Sequence, residues 1–322
     1  MPFMTANSYW GLASESGSSV SSSANYGVAA SISTFTPIGS PKLSPDLKWL
    51  DDSDFRGSPV MHYDQVPGVR ADKFSGKTFM YSDVYPNLIR AALGGSDSVA
   101  SSVHTIGVGN FPNTGSQAPS YTLINNSVDA TYQLTASRLV DMSISFAADA
   151  AVETTFNFVG NAASTVASVT PNESTQHLVP SWACSASIGG ASVAVVESAT
   201  LDIKRNTAPI HTLGQQGPYN NFQGPIDVVG KLAFVVEAGE TYWANSLVRD
   251  QQPLILKFTD PATGYYVQFQ MSAIQLEMPV IDQAKAYVSL QANYTAVANT
   301  TDAITGYSPI LAKIYNNVST PY

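Results

Sequence analysis

The chain has 322 residues, of which 44% are hydrophobic and only 12% are charged, about half the charged share of an ordinary globular protein. The net charge of −9 excludes phosphate neutralisation as its main function, because nucleic-acid binders present clustered lysine and arginine. With one cysteine, Cys184, no intrachain disulfide can form. At this length a large core can be buried without a metal or a disulfide.

Serine, threonine, asparagine, glycine and alanine replace the missing charged residues, and such a surface suits packing against other protein. The first residues lack a basic stretch followed by an apolar stretch, and no apolar run is long enough to cross a bilayer. We therefore expect a protein without a membrane partner that is made and kept in a cytoplasm, at least until assembly.

Residues 1–47 are rich in serine and glycine and keep neither a helical nor a strand period, which predicts an extended N-terminal arm. Five large apolar side chains interrupt this segment: Tyr9, Trp10, Tyr26, Ile32 and Phe35. We expect a neighbouring subunit to cover them, and the alternative is that the arm covers the chain's own sheet. In the first case, deletion of residues 1–30 should leave a folded protein that assembles poorly.

An acidic turn follows this arm. Residues 47–57 join three aspartates to Arg56 and a turn glycine. The glycine and the downstream glutamate of an EF-hand loop are missing, so the pattern favours a solvated turn with an arginine partner over a calcium site. Residues 59–63 are predicted to form a short strand.

A short helix is predicted over about residues 84–93. Pro86 suits the first turn of such a helix, Leu88 and Ile89 lie on its apolar face, and Gly94 suits its C-cap. We expect this helix to pack on a sheet.

From residue 121 onward the hydrophobic period is close to two, and residues 48–298 are predicted to form a β-rich core. The predicted strands cover residues 121–124, 132–135, 140–146, 152–158, 194–203, 254–258, 265–271 and 285–294. Residues 260–264 close a hairpin whose outward face, with Lys257 and Gln268, suits a solvated channel. Residues 299–322 return to irregular chain and are predicted as a C-terminal arm.

The most informative segment, residues 198–237, has the pattern of two alternating strands around a long loop. In the first strand Leu201 and Ile203 share the apolar face, and the second strand repeats the pattern. The loop, residues 206–227, is rich in residues that set turns and resist a regular ladder. A functional loop is favoured over a disordered one because it contains several apolar residues: Ile210, Leu213, Tyr219, Phe222 and Ile226.

No catalytic, metal or nucleotide motif is complete. Residues 76–78, Gly-Lys-Thr, match the end of a phosphate-binding loop, but Ala71 stands where that loop needs glycine. The four histidines have no metal-ligand spacing, and the chain has no Gly-x-Ser-x-Gly elbow. These patterns predict a protein that is not an enzyme and needs neither a cofactor nor a metal.

Several blocks of the sequence, taken in order, resemble the major tail tube proteins of long-tailed, non-contractile bacteriophages. Around the long loop they are IKR at 203–205, PIHT at 209–212, QGPY at 216–219, QGP at 223–225 and VVGKLAFVVE at 228–237. Elsewhere they are YWGLASESG at 9–17, LDDSDFRGS at 50–58, ALGG at 92–95, PSYTL at 119–123 and ANTTDAITGYSPI at 298–310. The resemblance spans nearly the whole chain, although residues 96–116 match no block.

The resemblance implies a mainly β fold, a tail-tube-type β-sandwich or barrel with a short flanking helix and extended N- and C-terminal arms. It also implies a homo-oligomer of six copies per ring, with rings stacked into a hollow tube whose lumen is lined by a hairpin from each subunit. During ejection, DNA would pass through this lumen without specific binding, because acidic side chains repel phosphate. The other partners it implies are the tape measure, tail terminator and distal tail proteins of a virion.

We expect the arms and the long loop to make the contacts between subunits and rings. The candidate contact residues are Tyr9, Trp10, Arg56, His211, Gly217, Pro218, Tyr219, Phe222, Gly224 and Pro225. Two alternatives stay open: another phage virion protein of the capsid or decoration type, and a β-rich carbohydrate-binding domain.

Overall fold

The computed structural model describes residues 7–15, 25–32, 34–54, 56–109, 117–172, 174–193, 195–236, 243, 247–283 and 286–322. Three predicted strand ends, Ala194, Glu237 and Lys285, lie outside the described residues, as do residues 110–116 of the unmatched stretch. The fold is mainly β with a short helix, as the sequence predicts.

The elements follow one another along the chain as strands, with α1 after β6. The first part contains β1 (Tyr9–Ser14), β2 (Thr34–Phe35), β3 (Gly39–Ser44), β4 (Leu47–Asp52), β5 (Asp64–Arg70), β6 (Asp72–Phe79), α1 (Tyr85–Leu93), β7 (Gly94–Ala100), β8 (Val103–Val108), β9 (Tyr121–Asn126), β10 (Thr131–Ala147) and β11 (Glu153–Gly160). The second part contains β12 (Ser164–Val166), β13 (Cys184–Ile188), β14 (Ala191–Val193), β15 (Val196–Lys204), β16 (Ala208–Ile210), β17 (Asn220–Phe222), β18 (Asp227–Val235), β19 (Gln252–Thr259), β20 (Tyr266–Asp282), β21 (Ser289–Ala296) and β22 (Leu311–Tyr315). A short 3-10 helix covers Ser181–Ala183.

All of these strands belong to one closed barrel, apart from the separate pairs β4–β5 and β16–β17. Two strands of 17 residues, β10 and β20, join its parts. β10 pairs with β9 and β12 near its start and with β11 and β15 further on. β20 pairs with β19 and β22 near its start and with β21 further on.

The sequence predicts two short strands where the structure has the single strand β10. The pattern breaks because the pairing register shifts twice, between Leu134 and Ser137 and between Leu139 and Asp141. Ala136, within the first of these shifts, has a φ of 52°. We call the stretch over residues 134–141 the β10 bulge. Such bulges interrupt the alternation of side chains while the ladder continues on both sides.

Apolar side chains of the alternating strands fill the barrel. The predicted core faces are confirmed, since Leu201, Ile203, Leu254, Leu256, Phe258, Val267 and Phe269 are all buried. Next to them, the Trp10 ring stacks on Phe74 and Phe156, with centroid distances of 5.9 and 5.0 Å. Aromatic contacts of this kind add to the stabilisation that burial provides.

The expectation that a neighbouring subunit covers the apolar side chains of the N-terminal arm is wrong for Trp10 and Phe35. β1 pairs with β9 and β2, and β3 pairs with β6, so these parts of residues 1–47 belong to the barrel. Trp10 is 0% exposed within its own chain. Deletion of residues 1–30 would therefore remove a barrel strand and a core tryptophan, and we now expect it to impair folding.

The segment predicted as a C-terminal arm also contacts the barrel. β22 pairs with β20 and β8. Ahead of it, the buried carboxylate of Asp302 accepts hydrogen bonds from the Ser272 amide, the Ser272 hydroxyl and the Gln270 amide group. These bonds attach residues 299–308 to the outward face of β20.

The predicted helix is confirmed as α1, with Pro86 in its first turn. Its C-cap is Gly94, whose φ of 76° is a left-handed conformation that glycine adopts at little cost. Residues 59–63 do not form the predicted strand, because the chain there turns between β4 and β5.

Residues 316–322 fold back onto a buried ion pair between His104 and Asp97. His104 Nδ1 lies 2.6 Å from Asp97 Oδ2, and its Nε2 lies 3.0 Å from the Val318 carbonyl oxygen. A neutral imidazole has one N–H, so only the protonated ring donates to both oxygens. The Tyr322 amide also donates to Asp97, and Arg90 donates to the main-chain oxygen of Tyr322. Burial alone lowers the pKa of His104, but Asp97 and the Val318 carbonyl raise it overall.

The raised pKa of His104 makes the attachment of residues 316–322 sensitive to pH. The stabilisation is complete below the unfolded pKa of about 6.5 and is lost as pH rises through the higher folded value. Hydrogen exchange, corrected for the intrinsic pH effect, should show falling protection of the Tyr322 amide across that range. His104→Gln should abolish the pH dependence, and a dependence that persists in this variant would contradict the assignment.

Trp10→Ala should lower the free energy of unfolding by about 3–5 kcal/mol, because it leaves a cavity between Phe74 and Phe156. Trp49→Ala is a matched control, since Trp49 is 54% exposed and its loss should change stability by no more than about 0.5 kcal/mol. Chemical denaturation of the dissociated protein measures both values. Equal losses in the two variants would contradict this packing of Trp10.

Candidate functional site: an assembly surface

Two hairpins project from the same end of the barrel, which we call the hairpin end. The β4–β5 hairpin, residues 47–70, lies between the end of β3 and the start of β6, where Ser44 pairs with Lys73. The β16–β17 hairpin, residues 208–222, lies between the end of β15 and the start of β18, where Lys204 pairs with Asp227. β10 and β11 connect these positions in register, so both hairpins leave the barrel on one side.

The β4–β5 hairpin exposes an apolar band and has an acidic tip. Trp49, Leu50 and Val66 are all more than half exposed, although Leu50 and Val66 pair directly across the two strands. At the tip, Asp52 forms an ion pair with Arg56, whose guanidinium carbon lies 4.8 Å from the centre of the Tyr63 ring. The predicted solvated turn with an arginine partner is therefore confirmed.

The base of this hairpin is fixed to the barrel by Arg70 and Asp72. The Arg70 guanidinium donates two hydrogen bonds, of 2.8 and 2.6 Å, to the buried carboxylate of Asp72. Asp72 also accepts a hydrogen bond from the Ala163 amide. The bond from Arg70 to Asp72 raises the pKa of the guanidinium. Two parallel bonds to a planar guanidinium restrict rotation, so the direction of the hairpin is defined at its base.

The sequence predicts an irregular loop over residues 206–227. In the structure, β16 and β17 form a short antiparallel ladder within it. Pro209 is tolerated in this ladder, which is only three residues long. Residues 211–219 form the tip. Leu213 is completely exposed and Tyr219 is 65% exposed, so the apolar side chains of the tip face solvent rather than the core.

Asn221 fixes the β16–β17 hairpin to the barrel and is completely buried. Its main-chain amide donates to the Tyr26 hydroxyl at 2.7 Å, and its side-chain amide donates to the Ala136 carbonyl at 2.9 Å. The main-chain carbonyl of Asn221 accepts a 2.6 Å hydrogen bond from the Arg138 guanidinium, which also donates to the Asn220 side chain. These contacts lie at the β10 bulge. Main-chain groups that the bulge leaves outside the strand ladder form their hydrogen bonds with the hairpin instead.

A second anchor joins Arg205 and Gln223. Gln223 accepts from the Arg205 guanidinium at 3.2 Å and donates to the Leu139 carbonyl at 3.3 Å. Burial, together with the nearby charge of Arg138, lowers the pKa of Arg205 to about 10, and burial lowers that of Arg138 as well. Both side chains remain charged at neutral pH.

The buried carboxylate of Glu15 provides negative charge near Arg138 and, together with Tyr26, offsets part of the lowering that burial causes in the arginine's pKa. It accepts hydrogen bonds from the amides of Gly27 and Ala136 and from two hydroxyl groups, those of Ser120 and Thr122. This compensation matters because a buried charge without a partner is strongly destabilising.

The two hairpins contact each other and form one surface, which we call the hairpin surface. The Arg70 amide donates to the Gln216 carbonyl at 3.0 Å, and the Gln216 side chain donates to the Gly68 carbonyl at 2.9 Å. Each hairpin is also anchored to the barrel. The tip of the β16–β17 hairpin is therefore fixed by the barrel at its ends and by the β4–β5 hairpin along one side.

The structure brings most of the predicted contact residues together and separates two from the rest. Arg56, His211, Gly217, Pro218, Tyr219, Phe222, Gly224 and Pro225 lie in the two hairpins or directly after β17. Tyr9 and Trp10 lie in β1 and are buried, so they are not part of this surface. Asn221, Arg138 and Arg205 were not predicted. The two arginines carry a partial signal in the sequence, since each lies within two residues of the apolar end of a predicted strand and a buried arginine requires a partner.

The opposite end of the barrel contains an open groove of about 1140 Å³, which we call the strand-end groove. Its walls are the last residues of β10 and the parts of β15, β18 and β21 that pair beside them. Phe79 and Val280 are exposed at this groove, and four alanines, Ala147, Ala148, Ala150 and Ala151, line it. The barrel therefore has chemically different ends.

Within the described ranges, no three histidine, cysteine, aspartate or glutamate residues are grouped so that they could hold a metal ion. A membrane-spanning helix is likewise not found in the part of the chain that the structure describes.

A closed β-barrel with two anchored hairpins at one end and a partly apolar, open groove at the other has the features of a structural subunit that contacts other protein chains. The family model described as "phage tail tube protein" matches residues 12–296. The chain belongs to this family and is a structural protein of phage tails. A comparison with curated proteins gives no significant match.

Asn221→Ala should loosen the β16–β17 hairpin and leave the barrel folded. The variant removes the donor to the buried Ala136 carbonyl, which should cost about 1–3 kcal/mol. Hydrogen exchange should increase across residues 208–222 and stay unchanged in β19–β20. Asn220→Ala is the matched control, because Asn220 is only half-buried and its side chain makes one hydrogen bond to Arg138. Unchanged exchange in the Asn221 variant would contradict the anchor.

Proposed function

We propose that the protein assembles into stacked hexameric rings that form the hollow tail tube of a siphovirus-type phage, through which genomic DNA passes during ejection. The observation that carries this proposal is the difference between the two ends of the barrel. When the two contacting surfaces of a subunit differ, each copy binds the next head to tail, which produces closed rings or open stacks. Membership of the tail tube family supports the tube over other assemblies.

The number of six copies per ring comes from the family resemblance. In this proposal the hairpin surface makes contacts between rings, with Arg56, His211 and the residues from Gly217 to Pro225 in direct contact with a neighbouring copy. Rings are assembled in the host cytoplasm and become part of the virion. There the tube contacts the tape measure, tail terminator and distal tail proteins.

Passage of DNA without specific binding requires that lysines on the lumen face do not hold phosphate. On the outward face of the barrel, Lys204 pairs in register with Asp141 on one side and Asp227 on the other. Lys77 forms a 3.0 Å ion pair with Glu153. A lysine beside a carboxylate attracts phosphate less, and we propose that this arrangement replaces a strongly acidic lumen.

The β19–β20 hairpin is the other candidate for a lumen surface. Its outward face carries Lys257 and Gln268, and Lys257 Nζ lies 4.0 Å from the centre of the Tyr266 ring. The nearby carboxylate of Asp302 is buried rather than exposed. This face therefore lacks the acidic character that the resemblance implies, and the face with Asp141, Lys204 and Asp227 fits DNA passage better.

Negative-stain electron microscopy of the purified protein tests this function directly. Rings or hollow tubes are expected, and a strictly monomeric protein at high concentration and after long incubation would contradict the proposal. Tyr219→Ala should reduce ring stacking and leave circular dichroism and thermal unfolding unchanged, because this side chain is exposed. Thr170→Ala is the control, since Thr170 is exposed and belongs to neither hairpin. Equal loss of folding and assembly in Tyr219→Ala would indicate a structural residue instead.

A further inference from the structure

We propose that the strand-end groove of one copy receives the tip of the β16–β17 hairpin, residues 211–219, from a copy in the next ring. This contact rests on the proposed function, because it requires that copies stack head to tail. It assigns one of the two hairpins to one acceptor site. The competing occupant is the tip of the β4–β5 hairpin, residues 51–64.

The groove is suited to an apolar occupant. Phe79 is 40% exposed and Val280 is 58% exposed, although both lie at the ends of barrel strands rather than in long loops. Alanine side chains line the turn that follows β10, so they leave room for a larger residue. A concave surface that combines exposed apolar side chains with polar and charged ones is suited to a protein contact.

The rim of the groove is acidic. Asp149, Glu153 and Glu197 line the groove together with Lys231. Glu153 pairs with Lys77, and Glu197 accepts a hydrogen bond from the Tyr287 hydroxyl. With Lys77 counted beside Glu153, the groove has three carboxylates against two ammonium groups. The rim keeps a net negative charge, so an acidic occupant would be repelled at distances below about 10 Å.

The two hairpin tips differ in charge. Between Asp51 and Asp64 the β4–β5 tip carries four aspartates against Arg56. The sequence of the β16–β17 tip, His-Thr-Leu-Gly-Gln-Gln-Gly-Pro-Tyr, contains no carboxylate, lysine or arginine. Like charges therefore disfavour the first tip in the groove, and the second tip meets no repulsion.

We assign Leu213 to the groove because it is the most exposed large apolar side chain of the tip. It is completely exposed in the single copy, followed by Gly214, whose φ of 92° turns the chain directly after it. This conformation leaves Leu213 at the apex of the tip. The tip and the groove lie at opposite ends of β15 and β18, so one copy cannot fill its own groove and a second copy must provide the leucine.

Cysteine cross-linking of assembled tubes separates the two occupants. In Leu213→Cys/Val280→Cys, mild oxidation should produce a ladder of covalent multimers on a non-reducing gel, because each copy is linked to the next. The matched variant is Met61→Cys/Val280→Cys, with Met61 exposed at the other tip, and it should stay monomeric. The native Cys184 is a suitable background because burial raises the pKa of its thiol to about 12. Variants with only one of the introduced cysteines control for disulfide formation with Cys184.

A ladder from the Met61 pair, or none from the Leu213 pair in tubes seen by electron microscopy, would overturn this assignment and leave the proposed function standing. If the wild-type protein forms no tubes, the proposed function fails instead, and this inference fails with it.

A charge exchange provides a second test that does not depend on disulfide geometry. Leu213→Asp should reduce tube formation at least tenfold without changing circular dichroism, because it places a carboxylate against the acidic rim. Adding Asp149→Lys should restore a substantial part of the tubes, since Asp149 is exposed on that rim. The control pair combines Asp149→Lys with Tyr63→Asp, which places the new carboxylate on the tip of the β4–β5 hairpin. In that variant Asp149→Lys should not increase tube formation. Normal tubes from Leu213→Asp alone, or no rescue, would overturn the inference.

Discussion

The rest of the structure depends on β10 continuing as one strand through a bulge. Before the bulge it pairs with β9, and after it with β11 and β15, so it joins the N-terminal strands to the main part of the barrel. At the bulge its main-chain oxygens accept hydrogen bonds from outside the ladder: from Asn221 to Ala136, from Thr207 and Gln223 to Leu139, and from Arg205 to Val140. Its last residues form a wall of the strand-end groove. The hairpin surface and the groove are thus positioned by one strand.

The two ends of the barrel use different physical interactions, which suits a head-to-tail contact. The hairpin end is held by buried hydrogen bonds and charges: Glu15 provides negative charge near Arg138, and Arg205 donates to Gln223. A satisfied polar network fixes orientation more narrowly than apolar packing does, since each bond requires a direction. The groove end combines exposed apolar side chains with a charged rim, and a contact with its apolar part gains from burial and needs no exact direction. A rigid hairpin surface can then bind a groove that accepts small differences in orientation, and this contact can be repeated at every ring.

Trp10 and Trp49 show where sequence reasoning lost information. The sequence predicts a subunit contact for Trp10 and assigns no contact to Trp49. Trp10 is buried because β9, more than a hundred residues away in the chain, pairs with β1 and places the indole against Phe74 and Phe156. Trp49 is exposed, and its strand β4 pairs with β5 in a two-stranded sheet that is separate from the barrel. The identity of the partner strand, which the local pattern does not contain, decides burial.

The sequence by itself determined what depends on neighbours along the chain: the helix that begins near Pro86 and is capped by Gly94, the apolar faces of β15, β19 and β20, the turn with Asp52 and Arg56, and the long loop with its apolar residues. The blocks that it shares with tail tube proteins also led to the family. Only the tertiary structure decided that both hairpins leave one end of the barrel, that Asn221 anchors the loop, and that the opposite end is an acidic-rimmed groove. These features depend on strand pairing over long separations, where the contacts that set the register are made by residues far apart in the sequence.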